Sequence, residues 1–398
     1  MPAYVSALCG EVQHVGARAP EGVSVHTVFF GGGTPSLLSP EQIQRVLETI
    51  RGTFQVEDGA EVTLEANPGT VSAAGMQSLR AAGINRISLG VQSANGEELR
   101  MLERAHTYGD VLDAVAAARR AGFDNLNVDL IYGLPEQTMD TWQTTVRRVL
   151  DLKLEHMSAY ALTLEHGTPF GRWTKRGLLP TPDPDLAADM YEWLSDELGS
   201  AGYGHYEISN WAKDGRECSH NLQYWRGEAY LGFGAGAHGY AAGYRYSNLL
   251  AIKSYIERIS EGAAGEPRVR PVDEPLDSEE ATGKPDYTAS PAAISRHRQS
   301  AEDDMAEFMI MGLRLTAEGV SAGRFHRRFG RKLSQTYGRQ LEDLMHLGLL
   351  ERAESNASEV QGRASEAFRL TKRGRLVGNQ VFIRFLSPHS ARTPRPVT

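Results

Sequence analysis

A glycine-rich run is the first part of the sequence whose residue types could bind a ligand. It reads FFGGGTPS over residues 29–36, after a predicted strand and before a predicted helix. Glycines such as Gly32 and Gly33, followed by Thr34, let the backbone approach a ligand closely and offer N–H groups to a carboxylate or an adenosine group. A tight turn between a strand and a helix would explain the same glycines, so the run alone leaves both interpretations open.

Polar side chains at the ends of three predicted strands favour the ligand-binding interpretation. Glu65, Gln92 and Asp129 each lie at or near such an end. In parallel α/β sheets and barrels, the carboxyl ends of the strands form the edge where ligands bind. Acidic and amide groups there suit the ribose hydroxyls and the amino group of a nucleotide-like cofactor. The alternatives are a helix N-cap for Glu65 and a buried structural carboxylate for Asp129.

Arg104 is a further candidate, because a guanidinium group can pair with a ligand carboxylate through two hydrogen bonds. It stands in the run LERAH with His106 two residues later. A solvated charge at a helix end is the alternative for Arg104, and a capping or packing role is the more common one for such a histidine.

A second group of reactive side chains lies within nine residues, ECSHNLQYW at 217–225. Cys218 and His220 are of the types that bind heme iron axially, and the rings of Tyr224 and Trp225 could flank a porphyrin. A Cys-x-His pair alone is a weak metal signal and is more often part of a packed loop.

The elements that must position these residues alternate along the first 250 residues. Predicted strands lie at 26–30, 61–65, 86–89, 125–132, 156–163 and 203–209. Predicted helices lie at 3–15, 40–53, 71–82, 108–121, 138–152 and 185–201. Alternation of this kind indicates βαβ units and a parallel sheet, either doubly wound or a barrel. Because such an array usually begins with a strand and this one begins with a helix, we expect the array to start late.

The amino-acid composition and the pattern of predicted elements change after residue 250. Residues 251–304 contain a helix and a Pro-, Ser- and acid-rich linker, and residues 305–390 are predicted to form a winged-helix-like domain. Helices are predicted at 302–315, 321–329, 333–347 and within 368–385, with a two-stranded wing after Gly348. The basic run at 324–332 could contact nucleic acid, but a solvated helix face or a docking surface is the more common role.

Composition limits the function classes. The chain has 398 residues, 41% of them apolar and 23% charged, with a net charge of −8. These values exclude a mostly disordered chain and an electrostatic binder of nucleic acid. Only two cysteines occur, Cys9 and Cys218, which excludes a disulfide framework, a four-cysteine zinc site and an iron–sulfur cluster held by cysteines of this sequence alone. Without a leader-like start or a long apolar run, the chain is expected to be soluble and cytoplasmic.

Taken together, the motifs resemble the radical S-adenosylmethionine family of oxygen-independent coproporphyrinogen III oxidases. The resemblance runs from Tyr4 to about Leu386, and the spacing HNxxYW at 220–225 is similar to the heme-chaperone branch of that family. The motifs that carry it are VFFGGGTPSLL (28–38), LEANPGT (64–70), ISLGVQS (87–93), VDLIYGLPEQT (128–138) and FGAGAH (233–238). The resemblance implies an α/β fold with an incomplete parallel (β/α) barrel that lacks the first strand of the family, followed by the winged-helix-like domain.

The resemblance also implies cofactors and the residues that contact them. S-adenosylmethionine contacts would fall on Gly32, Gly33, Thr34, Glu65, Gln92, Arg104, Asp129 and Thr163. Heme contacts would fall on His220 first and Cys218 second, with Asn221, Tyr224 and Trp225 beside them.

The family holds a [4Fe–4S] cluster with a Cys-x3-Cys-x2-Cys loop, and these ligands are missing from this sequence, so no metal ligand is assigned. We favour a truncated chain, with a genuinely cluster-free heme binder as the rival. The predicted function is a heme chaperone that delivers heme to acceptor proteins, respiratory ones among them; peripheral membrane contact is allowed and nucleic acid is not expected as a partner. The alternatives are the oxidase itself and a barrel that binds another nucleotide-like ligand.

Overall fold

The computed structural model describes residues 1–164, 169–177, 180–262, 290–355 and 365–386. The chain divides into two compact units. The first unit contains residues 1–28, 38–60 and the chain from 219 onward, and the second contains residues 29–37 and 61–218.

The helices and strands are, in chain order, α1 (Pro2–Gly16), β1 (Ser24–Phe30), α2 (Pro40–Thr53), β2 (Gln55–Ala66), α3 (Ala73–Ala82), β3 (Arg86–Gln92), α4 (Gly96–Met101), α5 (Tyr108–Arg120), β4 (Leu126–Tyr132), α6 (Met139–Leu150), β5 (His156–Ala161), α7 (Pro169–Lys175), α8 (Pro184–Ser200), β6 (Gly204–Glu207), β7 (Asn210–Ala212), α9 (Ser219–Trp225), β8 (His238–Ala241), β9 (Tyr244–Asn248), α10 (Ile252–Gly262), β10 (Ala293–Arg298), α11 (Ala301–Gly312), β11 (Val320–Ser321), α12 (Ala322–Phe329), α13 (Leu333–His346), β12 (Leu350–Ser355), β13 (Ser365–Leu370), α14 (Lys372–Leu376) and α15 (Gly378–Phe382).

The main sheet has seven strands in the order β1-β2-β3-β4-β5-β7-β6. Strands β2 to β5 pair in parallel, with Glu65 opposite Ser88 and Asp129 opposite Ser158. The predicted parallel α/β sheet is therefore confirmed. One detail differs, because the strand predicted at 203–209 ends early and forms a hairpin with β7, which runs antiparallel to both of its neighbours.

Local signals in the sequence explain where the helices begin. Ser39 and Gln42 form a reciprocal capping box at the start of α2, which spans the predicted residues 40–53. Thr138 and Thr141 make the same arrangement at α6. On the buried face of α6, Trp142 is fully buried and its indole N–H donates to the carbonyl oxygen of Met190 at 3.1 Å. These caps mark where the helices α2 and α6 begin between the strands of the sheet.

A second sheet, not predicted, is formed by β8, β9 and β10 in the order β10-β9-β8. Its β8–β9 hairpin turns through Ala242 and Gly243, whose φ angles are +52° and +79°. Two consecutive residues in the left-handed region form the turn that matches the twist of a hairpin. The Ala-Gly pair is a weaker hairpin signal than Asn-Gly, which explains why it is easily overlooked.

The C-terminal segment has the order α11-β11-α12-α13-β12-β13, with β13 between β11 and β12 in an antiparallel sheet. This is the predicted winged-helix-like arrangement, and the predicted wing is β12 with β13. The helical prediction for 368–385 was wrong at its start. Phe368 and Leu370 are buried while Arg369 between them is half-buried, which is the alternation of a strand, and they form the end of β13. Helix α14 begins at Lys372.

Part of the predicted linker, residues 263–289, lies outside the described residues, as do residues 356–364 and 387–390 of the predicted C-terminal domain. On either side of 263–289, α10 ends at Gly262 and β10 begins at Ala293. In the part of the chain that the structure describes, no helix has the length and apolar character needed to cross a membrane.

Candidate functional site

The glycine run and the end of β2 meet directly. Gly32 and Gly33 have φ angles of +79° and +63°, in the left-handed region that glycine occupies without strain. The N–H of Gly32 donates to Oε2 of Glu65 at 3.1 Å. Oε2 of Glu65 is therefore held by the loop, and no hydrogen bond to Oε1 is found among the described residues. The pair forms a small acceptor site beside the glycine backbone.

Asp129 lies on the same face of the sheet. Its Oδ2 accepts from the Ser88 hydroxyl at 2.8 Å, and its Oδ1 accepts from the Asn127 amide at 3.0 Å. Burial raises the pKa of Asp129, and these hydrogen bonds oppose the shift. Burial also raises the pKa of Glu65, with a further contribution from the charge of Asp129, while the N–H of Gly32 opposes it. Two buried carboxyl groups with raised pKa values, one of them raised further by the charge of the other, are typical of a functional site.

The backbone of Gln92 is strained at the end of β3. Its φ is +68°, although it is not a glycine, and its side chain is buried. Residues other than glycine in the left-handed region cluster at binding sites, where contacts with the surrounding structure hold them in that strained conformation. This strain supports the prediction that Gln92 belongs to the site.

Thr34 directly follows the two glycines, and two further predicted contacts, Arg104 and Thr163, lie near the ends of β2 and β5. Nη1 of Arg104 is 3.4 Å from Oδ1 of Asn67, which directly follows β2. Thr163 is exposed, two residues beyond the end of β5. The structure therefore places all eight predicted S-adenosylmethionine contacts in the second unit: Gly32, Gly33, Thr34, Glu65, Gln92, Arg104, Asp129 and Thr163.

A buried polar chain runs from Asn127, beside Asp129, to Cys218. The two ring nitrogens of His156 lie 2.6 Å from Oδ1 of Asn127 and 2.7 Å from the hydroxyl of Tyr206. The N–H of Cys218 donates to the Tyr206 hydroxyl at 3.3 Å, and its thiol donates to Glu61 at 3.4 Å. Cys218 is fully buried, and its role as a heme contact stays a prediction.

The histidine of the HNxxYW motif lies on the short helix α9. Its Nδ1 is 2.9 Å from the Thr27 hydroxyl, and its Nε2 is 2.8 Å from the Tyr224 hydroxyl. The rings of His220 and Tyr224 meet edge to face at 4.9 Å, and Tyr224 meets Tyr230 in the same way at 4.5 Å. Both nitrogens of His220 are therefore engaged, one of them by a neighbour on the same helix.

The aromatic end of α9 lines a cavity. Tyr224 and Trp225 face a space of about 220 Å³ together with Tyr230, Tyr240, Phe308 and Met311. The Arg314 guanidinium lies 4.2 Å over the Trp225 ring. Asn221 is half-buried on the same helix. The structure thus brings His220, Asn221, Tyr224 and Trp225 together on α9, whereas Cys218 belongs to the other unit.

Comparison with known families gives two matches within the chain. Residues 11–149 match the Radical SAM superfamily, and residues 299–358 match the HemN C-terminal domain. The chain is 36% identical to "Heme chaperone HemW" of Lactococcus lactis subsp. lactis over 384 residues, which is 96% of this chain and 89% of that protein. It is 37% identical to the protein of the same name in Bacillus subtilis, with 96% and 91% covered. The chain belongs to the heme chaperone HemW family.

The fold of this HemW-family chain is also found in a solved structure. Coproporphyrinogen III oxidase (HemN) from Escherichia coli, described as a radical SAM enzyme, superposes with a TM-score of 0.72 at 22% identity and covers 96% of this chain and 82% of its own. At that identity the likeness establishes the shared fold.

The residues present fit some of the groups that this family implies and not others. Left-handed glycines beside a half-buried carboxylate suit a ribose and its neighbouring polar groups. Aromatic rings that line a cavity on the helix that carries His220 suit contact with the face of a porphyrin. A three-thiolate cluster does not fit, because the sequence has two cysteines, both buried, and no three potential metal ligands gather among the described residues.

Sequence reasoning missed Glu11 of α1, which anchors the FGAGAH loop. Its carboxylate accepts from the Gly234 N–H at 2.8 Å, the Asn248 amide at 2.7 Å, the Tyr255 hydroxyl at 2.7 Å and the Ser290 hydroxyl at 2.5 Å. The available signal was an acidic residue within the apolar face of a helix, because Glu11 is fully buried beside Val12 and Leu8. Its partners lie up to 279 residues away, so they could not be read from the sequence.

Proposed function

We propose that this protein is a heme chaperone, which binds heme beside α9 and transfers it to acceptor proteins. The observation that carries the proposal is the cavity lined by Tyr224 and Trp225, with His220 on the same helix and paired with the Tyr224 hydroxyl. The family relationship supports it, because the matched relatives are themselves named as heme chaperones. The acceptors would be heme proteins that meet it in the cytoplasm.

In this proposal His220 would hold the iron through Nε2, the nitrogen now paired with Tyr224. Imidazole is a common axial ligand of heme, and the iron would supply reversible coordination there. Thr27 at Nδ1 would keep the ring oriented, as an outer hydrogen bond commonly does for a histidine that binds a metal. The Tyr224 hydroxyl competes for Nε2, and this competition suits a protein that must release its ligand.

S-adenosylmethionine would bind separately, at the glycine run. Glu65 would accept hydrogen bonds from ribose hydroxyls, while the backbone of Gly32, Gly33 and Thr34 would face the adenosyl group. Gln92 and Asp129 would contact the same ligand from the neighbouring strands. The proposal needs only binding at this site, because the residues present do not supply a cluster for radical chemistry.

A transfer experiment tests the proposal. The full chain is loaded with hemin, separated from free hemin, and mixed with an excess of a heme-free globin, while the Soret band of the acceptor is followed. We expect transfer that saturates and that slows in Tyr224→Phe, because that variant keeps the aromatic ring but removes the hydroxyl that competes for His220. Failure of the wild-type protein to retain or transfer hemin would refute the chaperone function.

The oxidase remains the second candidate, because the HemN fold covers 96% of this chain. The same preparation is incubated anaerobically with coproporphyrinogen III, S-adenosylmethionine and a reductant. Formation of protoporphyrinogen would favour the oxidase over the chaperone. We expect none, since the residues present do not form the cluster site.

A further inference from the structure

A second and larger cavity lies beside the aromatic one, and arginines dominate its wall. It has a volume of about 510 Å³, within the range of ligand sites in proteins. Its basic lining residues are Arg226, which follows α9, and Arg324, Arg327 and Arg328 on α12. The sequence run at 324–332 therefore does not form only a solvated helix face.

A carboxylate outside the cavity lining, that of Glu318, positions two of these arginines. Arg226 lies 2.5 Å from Glu318 and Arg324 lies 3.8 Å from the same carboxylate. One acidic group thus faces two guanidinium groups. Among the lining residues Glu228 is the acidic one, against four arginines.

Arg328 is the most firmly placed of the four. It lies 2.7 Å from Asp304 and donates to the Tyr240 hydroxyl at 2.8 Å and to the carbonyl oxygen of Gly227 at 2.5 Å. Its guanidinium is therefore held at the wall before any ligand arrives. A preformed donor of this kind loses little freedom on binding.

The two cavities adjoin, because they share Gly227, Glu228, Tyr240, Phe308 and Arg328 in their walls. The smaller cavity has most of the aromatic rings, and its carboxylates Asp304 and Glu307 are paired with Arg328 and Arg245, whereas the larger cavity is mainly basic. A ligand that fits both cavities must carry a flat apolar body and carboxylates on one edge, since arginine recognises carboxylates through paired hydrogen bonds.

We infer that the arginine-lined cavity binds the two propionate groups of a tetrapyrrole whose ring lies against the aromatic cavity of Tyr224 and Trp225. This inference rests on the proposed heme-binding function and adds to it the residues that recognise the acidic edge of the ligand. The four arginines would bind the propionate groups, while His220 would bind the iron.

Hemin and hemin dimethyl ester distinguish these roles, because the ester keeps the iron and the ring but lacks the carboxylates. Binding to the full chain is followed at the Soret band for the wild type, Arg327→Gln and Arg324→Gln/Arg327→Gln. Arg331→Gln serves as the matched control, since it removes an exposed arginine of the same basic run that does not line the cavity.

We expect the double variant to bind hemin at least about tenfold more weakly, as for the loss of charged hydrogen bonds. Its affinity for the dimethyl ester should equal that of the wild type. The control should bind both ligands as the wild type does, and unchanged circular dichroism would show that each variant is folded.

Equal hemin affinity in the double variant and the wild type would overturn the inference and leave heme binding itself intact. An equal loss for hemin and for its ester would overturn it too, because a general disturbance would explain that result. A failure of the wild type to bind hemin at all would refute the proposed function, and the inference with it. If duplex DNA bound to the protein through Arg327 and hemin did not bind there, the basic cavity would be assigned to nucleic acid instead.

Discussion

The backbone N–H of Gly32 donates to Oε2 of Glu65 at 3.1 Å, and this contact joins the loop after β1 to the end of β2. The loop can make the contact because Gly32 and Gly33 both adopt left-handed backbone angles. This hydrogen bond fixes the orientation of the Glu65 carboxylate, because the loop holds its Oε2.

Glu65→Gln should weaken the binding of S-adenosylmethionine. The substitution keeps the shape of the side chain but replaces a charged acceptor with a neutral amide, and a hydrogen bond to a charged group is worth about 1.5–3 kcal/mol. We therefore expect a loss of about tenfold or more in affinity, measured by isothermal titration calorimetry. Glu57→Gln, an exposed change in the opposite half of β2, should leave the affinity unchanged. Equal affinities in all three proteins would remove Glu65 from the site.

The same binding should depend on pH in a way that reports the pair of carboxyl groups. Burial and the charge of Asp129 raise the pKa of Glu65, so the carboxylate is protonated at a higher pH than an ordinary glutamate. Affinity should fall as the pH decreases through that raised pKa. Asp129→Asn removes the neighbouring charge and should move the midpoint of the pH profile to a lower value. A midpoint that stays in place or rises would show that the two groups do not interact.

Glu11→Gln should destabilise the first unit. Each carboxylate oxygen of Glu11 accepts from one nitrogen donor, Gly234 on Oε2 and Asn248 on Oε1. Either orientation of a glutamine therefore points its NH₂ group at another donor. Although burial raises the pKa of Glu11, hydrogen bonds from its neighbours oppose that shift. Leaving a buried donor without an acceptor in this way should lower the free energy of unfolding by about 2–4 kcal/mol.

Urea unfolding measures this loss of stability. Glu48→Gln, an exposed change on α2, should alter the free energy of unfolding by less than about 0.5 kcal/mol. If Glu11→Gln is as stable as that control, the four hydrogen bonds do not anchor the FGAGAH loop.

Phe325→Ala should destabilise the C-terminal domain and displace the arginine-bearing helix α12. Phe325 is fully buried and its ring contacts those of Phe308, Phe329 and Tyr337 at 5.8, 4.8 and 6.1 Å. Truncating a buried phenylalanine costs about 3–5 kcal/mol. Thermal unfolding should show the loss, whereas Leu347→Ala, at a half-exposed position, should have a small effect. An unchanged melting temperature would contradict the assigned core.

The sequence was sufficient for the elements with strong local signals. The capping box of Ser39 and the apolar runs around Leu64 and Val128 depend on neighbours within a few residues, so they predicted α2 and the parallel strands. The clustering of Glu65 and Asp129 followed from a general rule, because carboxyl ends of parallel strands share one edge. Their roles as ligand contacts remain predictions.

Features that depend on distant residues were not predictable in this way. The ring of donors around Glu11, the sheet of β8, β9 and β10, and the arginine-lined cavity each join segments far apart in the chain. The environment of Cys218 is another example. Its thiol donates a hydrogen bond to Glu61, which lies 157 residues earlier in the chain.

A hemin titration of His220→Ala tests the central claim, that heme binds at α9 through His220. Hemin is added to the wild type, to His220→Ala and to His346→Ala, which removes an exposed histidine of α13, and the Soret band is recorded at each addition. We predict that His220→Ala loses the shifted band of the wild type and binds at least about tenfold more weakly, while His346→Ala matches the wild type. An unchanged band and affinity in His220→Ala would contradict the account.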